Sequence, residues 1–269
     1  MRSILGSTLV LTIAASLVAC EQPDTVDALE GVDEPTHETR DKPGSGGTNG
    51  LPGGLYFDYE RDVIDAAKRP LLTPGTTEIV PEIGYNMLQV VDGRHVFEYA
   101  VACAVPAGVV VTWKANSFTG RGHLTTTERW LKEPLDEQGF LDLLACVVAH
   151  INPKVGVKIL LSGPDVHDDG LDHSQFWVDE ARWIARQGEY GIDYIVWPNP
   201  LFVPPPCVVS GDPMDALKER VCGKNPGRCA LRQGREEDCK LEGGQTWCLG
   251  QPAIMTSLQE QDVPTMYCF

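Results

Sequence analysis

Beyond its first residues, this chain has no run of about 20 consecutive apolar residues, the length a bilayer-spanning helix needs. Positive charge is scarce as well. Lysine and arginine total 22 against 38 aspartates and glutamates, a formal net charge of −16. Such a surface repels phosphate backbones, which excludes nucleic acid as a partner class. It also repels anionic lipid heads, so a basic patch is not what brings this chain to a membrane. The motifs of nucleophilic and nucleotide chemistry are missing too. Ser162-Gly163 and Ser210-Gly211 lack the Gly-x-Ser-x-Gly frame. The run Gly44-Ser45-Gly46-Gly47-Thr48-Asn49-Gly50 has no preceding strand pattern and no Lys-Ser/Thr pair, so it is not a phosphate loop. His37 has no metalloprotease helix around it, and His95, His123 and His150 are isolated. No catalytic residue is assigned on these grounds.

What is present begins at the first residue. One cation, Arg2, precedes an apolar run from Ile4 to Ala15, and small residues follow. This is the order of a secretory signal peptide. The run ends in Leu17-Val18-Ala19-Cys20. With that ending the segment resembles a bacterial lipoprotein precursor. The resemblance covers residues 1–20. It implies cleavage before Cys20 and lipid on the sulfur and new amino terminus of that residue. Several acyl chains anchor stably where one does not, so it also implies attachment to a membrane without a spanning helix. Glu21 differs from the usual inner-membrane retention signal of that class, so the expected address is the cell envelope, with the outer membrane ahead of the inner.

Setting Cys20 aside leaves Cys103, Cys146, Cys207, Cys222, Cys229, Cys239, Cys248 and Cys268. An even set in an exported chain reads as disulfides, and eight cysteines allow 105 pairings. Structural zinc favours cysteines two to four residues apart. The last six are separated by 14, 6, 9, 8 and 19 residues, and no histidine follows His173, so disulfides are expected.

The lipoprotein resemblance implies a signal peptide over 1–19 and a lipidated Cys20, and composition divides the rest into an acidic tether to residue 50 (segment 20–50), a globular domain over 51–200 and a cysteine-rich region over 201–269. Residues 21–50 hold eight acids and two bases and show no apolar periodicity. Such a segment cannot offset its ordering entropy by burial. A flexible chain of this length spans about 30 Å, enough to hold a domain off a membrane.

Within 51–200 the pattern predicts a short helix over Tyr59–Lys68. A longer helix is expected through Leu88, Val91, His95, Tyr99 and Cys103, stopped by Pro106 and Gly108. Val109–Trp113 reads as a strand. Pro134 opens a helix through Phe140, Leu144, Val147, Val148 and Ile151, with Asp136 and Glu137 at its positive end. Val155–Leu161 and Ile192–Trp197 read as strands. Ser174 is placed to cap a helix through Arg186, with Trp177, Ala181 and Ile184 on one face. The prolines of 198–206 form a stiff connector, and Asp212-Pro213 starts a short helix through Val221. The expected class is α+β: a small layer of three strands and three helices with a disulfide-rich, loop-rich C-terminal region. Cys103 and Cys146 each lie on an apolar helical face, and two helices packed on one sheet would bring them together.

The centre also resembles a group of uncharacterised bacterial secreted cysteine-rich proteins, through Cys103-Ala104-Val105-Pro106, Cys146 and Asn152. That resemblance brings no activity with it.

One stretch stands out chemically. Asp165 to His173 holds four carboxylates and two imidazoles in nine residues. Asp165, His167, Asp169 and His173 are the candidate ligands of a divalent cation. The spacing is not that of an EF-hand: the third position is His167 and the twelfth is Phe176, although Gly170 falls at the sixth. A solvated acidic loop accounts for the same residues. Glu128, Glu133, Asp136 and Glu137 around Trp130 suggest a glycosidase pair, but charge at a helix start explains three of the four without function. The six tryptophans are scattered and read as core. The expected function is a non-enzymatic lipoprotein that binds a protein, glycan or cation or has a structural role. The alternative is a secreted hydrolase, metal-dependent through the 165–173 loop.

Overall fold

A computed structural model describes residues 50–84, 87–124, 127–154, 156–167, 177–208, 210–223 and 229–268. Among them are seven α-helices and ten strands in three sheets. The helices are α1 (Leu55–Ala67), α2 (Pro81–Gly84), α3 (Val91–Ala104), α4 (Thr127–Trp130), α5 (Glu137–His150), α6 (Pro213–Cys222) and α7 (Val263–Tyr267). The strands are β1 (Val110–Trp113), β2 (Asn116–Thr119), β3 (Ile159–Ser162), β4 (Trp177–Gln187), β5 (Ile192–Pro198), β6 (Leu231–Gln233), β7 (Cys239–Glu242), β8 (Gln245–Cys248), β9 (Gln251–Pro252) and β10 (Ile254–Gln259). The mixed α+β class is as expected, but the layout is larger than three strands and three helices.

The central sheet has the order β3-β10-β4-β5-β6, antiparallel except for the β5–β6 pair. β10, from the cysteine-rich region, lies between β3 and β4. The C-terminal region expected to be loop-rich therefore supplies a central strand.

Helix α5 covers one face of this sheet, against β3, β4 and β10. It starts at Glu137, three residues after the expected opening at Pro134, with Asp136 and Glu137 at its positive end as the sequence implies. Asp136 caps it, accepting from the Gly139 N–H at 2.9 Å. Eleven of its residues are buried, so it is a core helix and not a surface one. α3 packs on α5, and α1 packs on both. Cys103 of α3 bonds Cys146 of α5, with Cα atoms 6.1 Å apart and both residues fully buried. α1 is fixed to β5 by a short chain of hydroxyls: Tyr56 and Tyr194 share a 2.7 Å hydrogen bond, and Tyr194 donates to Glu60 at 2.7 Å.

The helix expected over Ser174–Arg186 is a correction. Residues 177–187 form strand β4, and Ser174 lies outside the described residues. Trp177, Ala181 and Ile184 fall at helical spacing by coincidence, because β4 is covered on both faces. Ala181, Trp183 and Ala185 enter the main core under the helices. Ile184 faces the other way and packs with Ile195, Trp197, Cys248 and Ala253 beneath the small sheet β7-β8-β9. A strand buried on both sides loses the alternation that would identify it.

Three further disulfides complete the frame: Cys207–Cys268, Cys222–Cys229 and Cys239–Cys248. The last joins directly opposed residues of β7 and β8.

Candidate functional site

The register of β4 against β10 shifts between Thr256 and Ser257. Ala181 opposes Thr256 and Asp179 opposes Ser257, which leaves Glu180 as the extra residue of a β-bulge. The bulge turns Glu180 into the core, where it is fully buried. A lone buried carboxylate would be prohibitive, and its partners are all present. Arg220 of α6, also fully buried, donates from Nη2 to Glu180 Oε2 at 3.0 Å. The Thr256 hydroxyl donates to the same oxygen at 2.7 Å, and Trp183 Nε1 donates to Thr256 Oγ1 at 2.9 Å. The Tyr267 hydroxyl donates to Glu180 Oε1. Burial, and then the Glu180 carboxylate, hold that phenol well above its ordinary pKa, so it stays a donor. Arg220 Nη1 reaches two carbonyls at the end of α5, Ala149 at 3.2 Å and Ile151 at 2.5 Å, and so serves as a C-cap. Its guanidinium lies 5.2 Å from the centre of the Trp183 ring. One arginine thus ties α5, α6, β4 and, through Glu180, β10 and α7.

A second polar group lies at the C-terminal end of α3. Residues 120–124 fold over the last turn of that helix, and their N–H groups satisfy its free carbonyls. Gly122 donates to Val105 at 2.9 Å, and Leu124 donates to Cys103 at 3.0 Å. Glycine is required at 120, where a Cβ would sit 2.4 Å from the Val105 and Pro106 oxygens, and at 122, where φ is +67°. The loop delivers His123 beneath the surface against His150 of α5, with ring centres 5.0 Å apart. The Tyr99 ring centre lies 5.3 Å from that of His150. Both nitrogens of His123 and Nδ1 of His150 are buried without a hydrogen-bond partner. Burial, reinforced by Arg121, pulls His123 down to about 4. Burial, with His123, Arg121 and Arg220 adding to it, pulls His150 well below its ordinary value. Both imidazoles are neutral at pH 7.

The 165–173 loop begins beside this group. Val166 bridges Leu124, and the His167 N–H donates to the His123 carbonyl at 2.8 Å. Asp165 is half-buried and His167 exposed, while Asp169 and His173 lie outside the described residues. The Asp165 carboxylate acts on Asp142 of α5, a buried residue held by a 2.7 Å donation from Gln138 Nε2. Burial first, and then Asp165 and Asp136, push Asp142 up to about 7. Asp142 therefore carries a proton through much of the weakly acidic range. Among the described residues, no group of three or more His, Cys, Asp or Glu side chains is placed to hold a metal ion.

Of the remaining candidates, Glu128 and Glu137 are exposed. Asp136 caps α5 and meets Arg129 at 2.5 Å, and Glu133 meets Arg129 at 3.4 Å. Trp130 is buried and donates to the Ala66 carbonyl at 3.3 Å. Trp113, Trp183 and Trp197 are core residues as well. Neither Glu180 nor Arg220 was visible as a site in the sequence: they stand 40 residues apart, and Glu180 lies in a segment whose spacing reads as helix. No family model, characterised protein or solved structure matches the chain.

Proposed function

We propose that this chain is an exported lipoprotein, anchored through acylated Cys20, whose stapled domain has a binding or structural role at the cell envelope. The observation that carries this reading is the use of the cysteines. The eight others pair off completely in four disulfides, so the ninth, Cys20, is the one left for lipid. Four disulfides belong to an oxidising compartment, as export requires. No helix among the described residues is long and apolar enough to cross a membrane. On this reading the acyl chains at Cys20 supply the attachment, and residues 21–50 are the spacer. The outer membrane is the favoured address, and the partner is a protein, a glycan or a cation. Metabolic labelling with a radioactive or alkyne-tagged fatty acid tests the anchor. The wild type takes up label and partitions with membranes, and Cys20→Ser does neither. Equal labelling of Cys20→Ser would refute the reading.

A second reading is a hydrolase built around the 165–173 loop, with a cation held by Asp165, His167, Asp169 and His173. The raised pKa of Asp142, to which burial first and then Asp165 contribute, favours it, because a buried carboxyl that holds its proton toward neutral pH suits a general acid. Turnover of a glycoside or ester panel that is lost in both Asp142→Asn and Asp165→Asn would establish it. A flat panel with wild-type protein would remove it.

A further inference from the structure

The four disulfides are not equally placed. Cys103–Cys146 is fully buried at both ends. Cys222 and Cys248 are buried, and their partners Cys229 and Cys239 are half-buried. Among the eight paired cysteines Cys207 alone is exposed, and its partner Cys268 is half-buried. Thiol–disulfide exchange needs a thiolate to reach a sulfur, so access orders the reactivity of otherwise similar bonds.

What Cys207–Cys268 holds is also particular. It joins the connector after β5 to the residue following α7, the five-residue helix at Val263–Tyr267. A helix that short has no stability of its own. Its place rests on the burial of Val263, Met266 and Tyr267, on the Phe202 ring 5.5 Å from Tyr267, and on the Tyr267 donation to Glu180. The most accessible disulfide thus fastens the segment that closes the buried Glu180–Arg220 pair.

We infer that Cys207–Cys268 is a redox-sensitive latch whose reduction frees α7 and opens the Glu180–Arg220 centre to water while the rest of the domain stays folded. The chemistry is exchange with a dithiol. A thiolate of the dithiol attacks the Cys207 sulfur and forms a mixed disulfide. Cys268 leaves as a thiolate and takes up a proton. The second thiol of the dithiol then displaces Cys207. Two electrons pass from the dithiol, which ends as a disulfide, to the protein, which ends with two thiols. The inference does not depend on acylation of Cys20.

The test treats oxidised full-length protein with graded dithiothreitol, traps thiols with N-ethylmaleimide and locates them by peptide mass. Cys207 and Cys268 should label together, about tenfold or more ahead of the other six paired cysteines, as their access implies. Hydrogen exchange on the same samples should show lost protection over 263–268, with α5, β5 and β10 unchanged. A Cys207→Ser/Cys268→Ser protein should reproduce that exchange pattern without reductant. First labelling at any other pair, or a 263–268 segment still protected once Cys207 and Cys268 are free, would overturn the latch. The wild-type arm decides the matter even where the double variant fails to fold.

Discussion

Replacing Arg220 by methionine removes the donor at the centre of the buried network while keeping an apolar side chain of comparable length in place. Glu180, fully buried, loses its counter-charge. Breaking a buried pair from one side costs about 3–5 kcal/mol, because the remaining charge is uncompensated. The Ala149 and Ile151 carbonyls lose their donor as well, at about 1 kcal/mol each. Arg220→Met should therefore destabilise by roughly 5 kcal/mol, a large share of the stability of a typical domain. Glu180→Gln strands Arg220 instead and should cost about 3–5 kcal/mol. The double variant buries no charge, so its cost should fall below the sum of the singles by about 2 kcal/mol or more. Urea unfolding at pH 7 with disulfides intact measures all three, and Trp183 beneath the guanidinium supplies a fluorescence signal. A cost under about 1 kcal/mol for Arg220→Met, or strict additivity in the double variant, would refute the claim that this pair organises the core.

Three other outcomes are expected. His123 and His150 have folded pKa values below the unfolded 6.5, so the unfolded chain protonates first and stability falls as pH drops from 6.5 toward 4. His123→Phe should lower that slope by about 1.4 kcal/mol per pH unit, read from urea midpoints across pH 4.5–6, and an unchanged slope would contradict the placement of His123. Asp142 has the opposite sign. Its pKa is raised from 3.8 to about 7, so its favourable contribution is complete below pH 3.8 and is lost as pH rises through 7. Asp142→Asn should thus stabilise at pH 8 by on the order of a few kcal/mol and have little effect near pH 3.8, checked by thermal unfolding at both pH values. Removing the 43-residue link with Cys103→Ala/Cys146→Ala should cost about 4 kcal/mol in the same urea assay, from the entropy the link withholds from the unfolded chain.

Much of the fold follows from periodicity that tertiary packing leaves intact. α5 shows its Asp136 cap and apolar face, β5 its β-branched run, and α6 its Asp212-Pro213 start, where Asp212 accepts from the Met214 N–H at 2.8 Å. The Cys103–Cys146 link follows from the same helical faces. β4 does not, because it is covered on both sides and a bulge at Glu180 breaks its alternation. The other three disulfides depend on how β7, β8 and α7 pack, which local pattern does not encode. The polar centres are less legible still. Glu180 and Arg220 acquire meaning only when β4 and α6 meet, and His123 and His150 only when residues 120–124 fold over α3. The acidic stretch from Asp165 is the conspicuous feature in one dimension, and in its described part Asp165 helps raise the Asp142 pKa and the His167 N–H meets the His123 carbonyl.

Cys20 is the residue on which membrane attachment turns. The direct measurement is the mass of the N-terminal peptide from protein extracted out of membranes with detergent. The lipoprotein reading predicts a chain that starts at Cys20 and carries acyl mass on that residue, with the other eight cysteines in four disulfides. A chain that starts at Met1, or an unacylated Cys20 joined to another cysteine, would contradict it.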